Sequence, residues 1–289
     1  MTQLAVRTVE IPGGTIEVHE AGSGTPLLFL HGALAGWQVW EPVVAPLAER
    51  GYRVVLPTLP LGAHRYPMAP GTDLTPPGLA RIIVDLIDAL GVERPTLVST
   101  DTATALAQIV LTKHPGAAGG AVLTSGDCFR YFFPPRFRQL QGLGYAPGLL
   151  KTVGKMTRNE RTRNGSMGFG LLTRAGITQA AAVDWTEPLI SNKAVRRDAA
   201  AVLRGVNTRH TMAAAKALPM LDVPVMLVWA EDDKAFPMKL ARRLAALIPD
   251  CRLETVPDAR TFVALDAPDV LVSLIEDFVP RHAASERGR

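Results

Sequence analysis

The chain has 289 residues, of which 31 are Lys or Arg and 27 Asp or Glu, a formal net charge of +4. With 47% hydrophobic and 20% charged side chains it has the balance of a globular protein with a sizeable core. That excludes a disordered, collagen-like or coiled-coil chain.

In chain order, TIEVHEA (15–21) follows an IPGG turn and reads as a strand. PLLFLHG (26–32) is a continuous apolar run ending in glycine, the pattern of a strand buried on both faces. Residues 36–51 have helical spacing and a glycine stop, and YRVVLPT (52–58) is a further strand. A helix over 74–91 opens with Thr75 and two prolines and closes at Gly91. PTLVSTD (95–101) and GAVLTSG (120–126) are strands flanking an Ala-rich helix. Strand patterns then vanish until VPVMLVWA (223–230) and CRLETV (251–256). Repeated strand-helix units predict an α/β fold, a mostly parallel sheet with helices on both faces. Residues 1–126 and 219–289 form the core in this reading, and 127–218 a helical insertion. The polar tail RHAASERGR is expected to fray.

No apolar run approaches the roughly 20 residues that span a bilayer. The N-terminal segment lacks the basic and apolar regions of an export signal. Cys128 and Cys251 alone make no disulfide framework. The expectation is a cytoplasmic protein with reduced thiols and no membrane partner. Residues 126–175 carry nine basic and two acidic side chains, leaving a net −3 for the rest. The stretch reads either as a solvated helical face or as a surface drawing an anionic substrate or acidic partner. Nucleic acid is not expected, because no binding motif accompanies the charge. No phosphate loop, metal cluster or flavin signature is present, so no cofactor or metal is implied; the oligomeric state is left open.

Ligands of open parallel sheets bind beyond the carboxyl ends of the strands. Those ends carry His31-Gly32-Ala33, Asp101, Asp127 and Glu231-Asp232-Asp233. In S-T-D-T-A, Ser99 and Ala103 are small on either side of Asp101, as a sharp strand-to-helix turn requires.

On these motifs the chain resembles α/β-hydrolase fold proteins with a cap domain, in the branch containing haloalkane dehalogenases and epoxide hydrolases. LLFLHGALAGWQVWEPVVAPLAERGYRVVLP is similar to the stretch bearing the oxyanion loop, and LVSTDTATALAQ to the nucleophile elbow. VWAEDDKAFPM matches the segment of the triad acid. The resemblance implies Asp101 as carboxylate nucleophile, Asp233 as triad acid and the N–H groups of Ala33 and Thr102 as oxyanion hole. It also implies a cap over 127–218, with Trp37, Tyr131, Phe132 and Phe133 lining a small-molecule pocket. Tyr131 or Tyr145 would polarise an epoxide oxygen. The departure is the last core loop, Pro257-Asp258-Ala259-Arg260-Thr261-Phe262, in which Thr261 occupies the place of the family's histidine. Thr102 also stands where dehalogenases carry Trp, which counts against dehalogenation.

A carboxylate nucleophile leaves an ester that a base must clear, and Thr261 cannot take a proton near neutral pH. His64 and Asp127 are the candidates to replace the base, His210 a remoter one, and His31 is expected to shape its turn. Their bland readings are a loop histidine, a loop-capping aspartate and a surface histidine. Asp233 may alternatively pair with Arg260. Three functions remain open: a hydrolase built on Asp101, a cofactor-free cyclase, isomerase or lyase using Asp101 as acid or base, and a binding protein that lost turnover.

Overall fold

The structure is a computed structural model that describes residues 4–166 and 168–280; the polar tail 281–289, with His282, lies outside the described residues. Eight strands form one sheet: β1 (Ala5–Ile11), β2 (Gly14–Ala21), β3 (Thr25–Leu30), β4 (Tyr52–Pro57), β5 (Thr96–Asp101), β6 (Gly120–Gly126), β7 (Val225–Ala230) and β8 (Cys251–Val256). Their order is β1-β2-β4-β3-β5-β6-β7-β8, antiparallel from β1 to β4 and parallel onward. In β3 the consecutive residues Leu27, Leu28, Phe29 and Leu30 are all buried. Successive side chains point to opposite faces, so both faces are covered.

β1 has no counterpart in the sequence reading. It is an edge strand whose polar residues face water, with Val9 and Ile11 alone buried, so its apolar signal is too thin to register. It closes a hairpin with β2 in which Ile11 pairs with Gly14, and Gly14 sits at φ 140°, a backbone that favours glycine.

The expected helix over 36–51 is split into a 3-10 turn at Trp37–Trp40 and α1 (Glu41–Glu49), with Pro42 in the first helical turn. α2 (Pro76–Leu90) ends on Gly91 in the left-handed conformation, and α3 (Thr102–Lys113) starts directly on Asp101. Between β6 and β7 lie α4 (Leu140–Leu143), α5 (Pro147–Thr157), α6 (Glu160–Arg163), α7 (Gln179–Ser191), α8 (Lys193–Gly205) and α9 (Thr208–Ala217). Asn159, Thr178, Asn192 and Asn207 start four of these helices by accepting a main-chain N–H at the first turn. α5 packs on α7 and α8, whereas α9 lies on α3 of the core. α10 (Lys239–Ala245), α11 (Val263–Asp266) and α12 (Pro268–Phe278) complete the chain. Among the described residues no helix is long and apolar enough to cross a membrane.

Candidate active site

The loop after β3 is built around a buried histidine. Leu59 N–H donates to His31 Nε2 at 2.9 Å, so Nδ1 carries the proton and donates to Gly32 O at 2.9 Å. Burial pushes the imidazole pKa down to about 4, keeping it neutral. Leu34, at φ 59°, donates its N–H to Leu61 O at 3.0 Å. The loop is thereby fixed with Gly32 against Asp101, and a Cβ on Gly32 would collide with Asp101 Oδ2.

Asp101 caps α3 with φ 54° and ψ −128°, a strained conformation for a non-glycine residue. The β5–β6 register shifts between Ser99 and Asp101, and a Cβ on Gly126 would strike Asp101 O, so the turn is tight on both sides. The N–H groups of Thr102 and Ala33 lie near enough to the Asp101 carboxyl to draw its pKa down, and the Thr102 hydroxyl stands 3.5 Å from Oδ2. Burial outweighs these donors and, with the charge of Asp233, raises the Asp101 pKa to about 7.

Asp233, past β7, accepts the N–H groups of Ala235 (2.8 Å) and Phe236 (2.7 Å) on Oδ1. Its Oδ2 accepts the Thr261 hydroxyl at 2.9 Å. Burial raises this carboxyl as well. The anticipated alternative, an ion pair with Arg260, is not formed: the Arg260 guanidinium turns to Gly170 O. Thr261 is fully buried, and its carbonyl accepts the Thr100 hydroxyl at 3.0 Å.

Asp127 follows β6 and is wholly buried. Its N–H donates to Asp101 O at 3.0 Å and its carbonyl accepts Gln108 Nε2 at 3.0 Å. Neither carboxyl oxygen has a partner at bonding geometry. Burial, and after it the Asp101 charge, hold its pKa well above the usual carboxylate range. His64 is engaged elsewhere: Gly62 N–H donates to Nδ1 at 3.3 Å, leaving Nε2–H to meet Asp198 Oδ2 at 3.3 Å. Asp198 also accepts Met68 N–H and the Arg197 guanidinium. His210 meets Arg209 on α9.

A cavity of about 140 Å³ lies over Asp101. Ala33, Leu34, Asp101 and Thr102 form its floor; Phe133, Phe137, Leu140, Val153, Phe169, Leu172 and Leu189 supply most of the remaining wall. Gln139, Thr157 and Thr186 add polar groups, and Asp101 is the one charged side chain among the described lining residues. Phe133 reaches the wall, but Phe132 packs edge-on beside it, with ring centroids 6.3 Å apart. Tyr131 bridges to Cys128 through its main chain, Tyr145 is exposed, and Trp37 stacks on His19 at 4.4 Å. Phe137 belongs to the aromatic run already visible in the sequence. Phe169 and Leu172 lie in the Gly-rich GFGLL stretch, where no periodicity marked them. Among the described residues no group of three or more His, Cys, Asp or Glu is arranged to hold a metal ion.

A family model described as alpha/beta hydrolase family matches residues 27–274. Curated relatives include a 2-hydroxy-6-oxononadienedioate/2-hydroxy-6-oxononatrienedioate hydrolase of Pseudomonas sp, 25% identical over 93% of both chains. Haloalkane dehalogenase 2 of Mycobacterium tuberculosis is 25% identical over 92% of both. Among solved structures, an alpha/beta hydrolase fold protein from Burkholderia ambifaria superposes with a TM-score of 0.80 at 22% identity, over 96% of this chain and 100% of that one. The epoxide hydrolase CorEH superposes with a TM-score of 0.76 at 18% identity, over 96% and 98%.

Proposed function

From the premise that this chain belongs to the alpha/beta hydrolase family, we propose that it is an enzyme in which Asp101 attacks a tetrahedral carbon of a small, uncharged, largely apolar substrate. The placement of Asp101 carries the reading: it sits at the strained turn onto α3, on the floor of the cavity, with the N–H groups of Ala33 and Thr102 directed at its own carboxyl. A serine-type esterase keeps such donors for the carbonyl oxygen of its substrate. Here they face the carboxyl of the nucleophile, and attack by one of its oxygens leaves the other as the ester carbonyl.

Attack forms a bond from Asp101 oxygen to substrate carbon as the carbon–oxygen bond of an epoxide breaks, and the alkoxide so released takes its proton from solvent water. The product is an ester whose carbonyl oxygen stays at the two N–H groups. Water attacking that carbonyl would build its negative charge in the same place. Removing the water's proton is the unsupported step, because the Thr261 hydroxyl is committed to Asp233 and His64 to Asp198. The ester is therefore long-lived. Epoxides are favoured over haloalkanes, since no indole among the described lining residues can hold a halide. An anionic substrate finds no basic side chain on the described wall and would meet the charge of Asp101. The helices of 127–218 act as the lid, closing over the core of 1–126 and 219–289.

A second reading draws on the Asp101 pKa of about 7. A carboxyl half-protonated at neutral pH suits proton transfer in a cyclase, isomerase or lyase, which needs no activated water. Exposure to an aryl epoxide, a primary alkyl bromide and a p-nitrophenyl ester tests the main reading. Epoxide consumption that disappears in Asp101→Asn is expected, with the ester at least about a hundredfold slower. Ester hydrolysis that dominates and survives Asp101→Asn would overturn it.

A further inference from the structure

We propose that the outer face of α5 and the basic surface beside it dock on an anionic lipid surface, from which an apolar substrate reaches the cavity behind. The chain from Asp127 to Leu218 carries fifteen basic and five acidic side chains, a net +10 on a protein whose total is +4. Its acids do little to offset this. Asp127 is buried, Asp198 is buried with His64 and Arg197, Asp184 pairs with Arg65, and Glu187 pairs with Arg158. Glu160 is the exposed acid that remains.

α5 has two unlike faces. Val153, Gly154 and Thr157 line the cavity, so the helix is the partition between substrate and surroundings. On the flank adjoining that wall Leu149 and Met156 are 53% and 54% exposed, and they stand seven residues apart, two turns along one face. Tyr145, just before the helix, is 77% exposed. Lys151 and Lys155 are exposed further round the helix, away from the cavity. Exposed apolar side chains interleaved with lysines are the pattern of a helix lying in a membrane interface. Beside the start of α5 a groove of about 660 Å³ is lined by Lys193, Arg196, Arg197 and Arg204. Arg196 and Arg204 are tied to main-chain carbonyls, which position their charge without neutralising it. A second copy of the chain is a poor occupant, because two such faces repel. Anionic headgroups match the charge, and acyl chains match Leu149, Met156 and Tyr145.

The inference rests on the reading of an apolar substrate, but its test uses no substrate, so it stands or falls apart from the chemistry of Asp101. The full chain is sedimented with phosphatidylcholine vesicles with and without phosphatidylglycerol. Binding to the anionic vesicles alone is expected. Leu149→Ser/Met156→Ser and Lys151→Glu/Lys155→Glu should each weaken it by about tenfold or more, with melting temperatures unchanged because all four side chains are exposed. Leu149→Trp supplies a direct reporter, whose emission should shift to the blue on anionic vesicles. No binding, binding indifferent to both double variants, or a Leu149→Trp emission that does not move would overturn the proposal. So would preference for an acidic polypeptide over vesicles.

Discussion

The β3–β5 side of the site and the β7–β8 side use the same means, a carboxylate held by main-chain N–H groups in a buried loop, to opposite effect. On the first, Gly32, the strained Asp101 turn and the N–H groups of Ala33 and Thr102 converge on the Asp101 carboxyl, and Asp101 borders a cavity. On the second, Asp233 is saturated by Ala235, Phe236 and Thr261, and Thr261 is sealed from solvent. On the proposed reading the first side reacts; the other is a closed hydrogen-bond unit. On that reading the parts for attack and the parts for activating water are physically separate, and one is present without the other.

The comparison breaks most sharply at Gly32. A methyl group there meets the Asp101 carboxyl, so Gly32→Ala should lower covalent reactivity at least about a hundredfold and cost about 1–3 kcal/mol in stability, read by intact mass and by denaturant unfolding. Unchanged reactivity would mean that the close approach of the two loops is not needed.

The ionisation of Asp101 gives the next effect. The nucleophile is the carboxylate, so capture of an epoxide should rise with pH through about 7 and then level. Stability runs the other way. A folded-state pKa raised above the ordinary aspartate value of 3.8 contributes stability that is complete below that value and is lost as pH rises toward about 7. Asp101→Asn should therefore gain melting temperature over the parent between these limits and no further above them. A gap independent of pH would contradict the burial assigned to this carboxyl.

The smallest effect belongs to the closed side. Thr261→Val removes one donor from a buried carboxyl and should cost about 1–3 kcal/mol, while leaving epoxide capture within about twofold of the parent. A large loss of capture would show that Thr261 takes part in attack.

Much of this contrast was legible in the residues. Small side chains around Asp101 and the HGA run mark a turn that steric rules leave little choice but to build, and the resemblance set Thr261 where a histidine is expected. The parallel strands announced themselves because burial on both faces demands unbroken apolar runs. What stayed hidden depended on partners distant in sequence. Arg260 gave up Asp233 for Gly170, and His64 was claimed by Asp198, a residue 134 positions away. The cavity wall likewise took Phe169 and Leu172 from a glycine-rich stretch, while Trp37 and Phe132 were drawn into packing. Short-range patterns carry turns and strands, but not which of two nearby groups a side chain will choose.

The central claim, an intact attack without an activated water, is tested most directly by the lifetime of the Asp101 ester. Intact-mass spectra would follow the protein after a pulse of small apolar epoxide, with peptide mapping of the modified site. The account predicts an adduct of the epoxide's mass on the peptide holding Asp101 that persists in the parent and decays at least about a hundredfold faster in Thr261→His, where Asp233 again has an imidazole to orient. Turnover by the parent with no adduct at any time would contradict it.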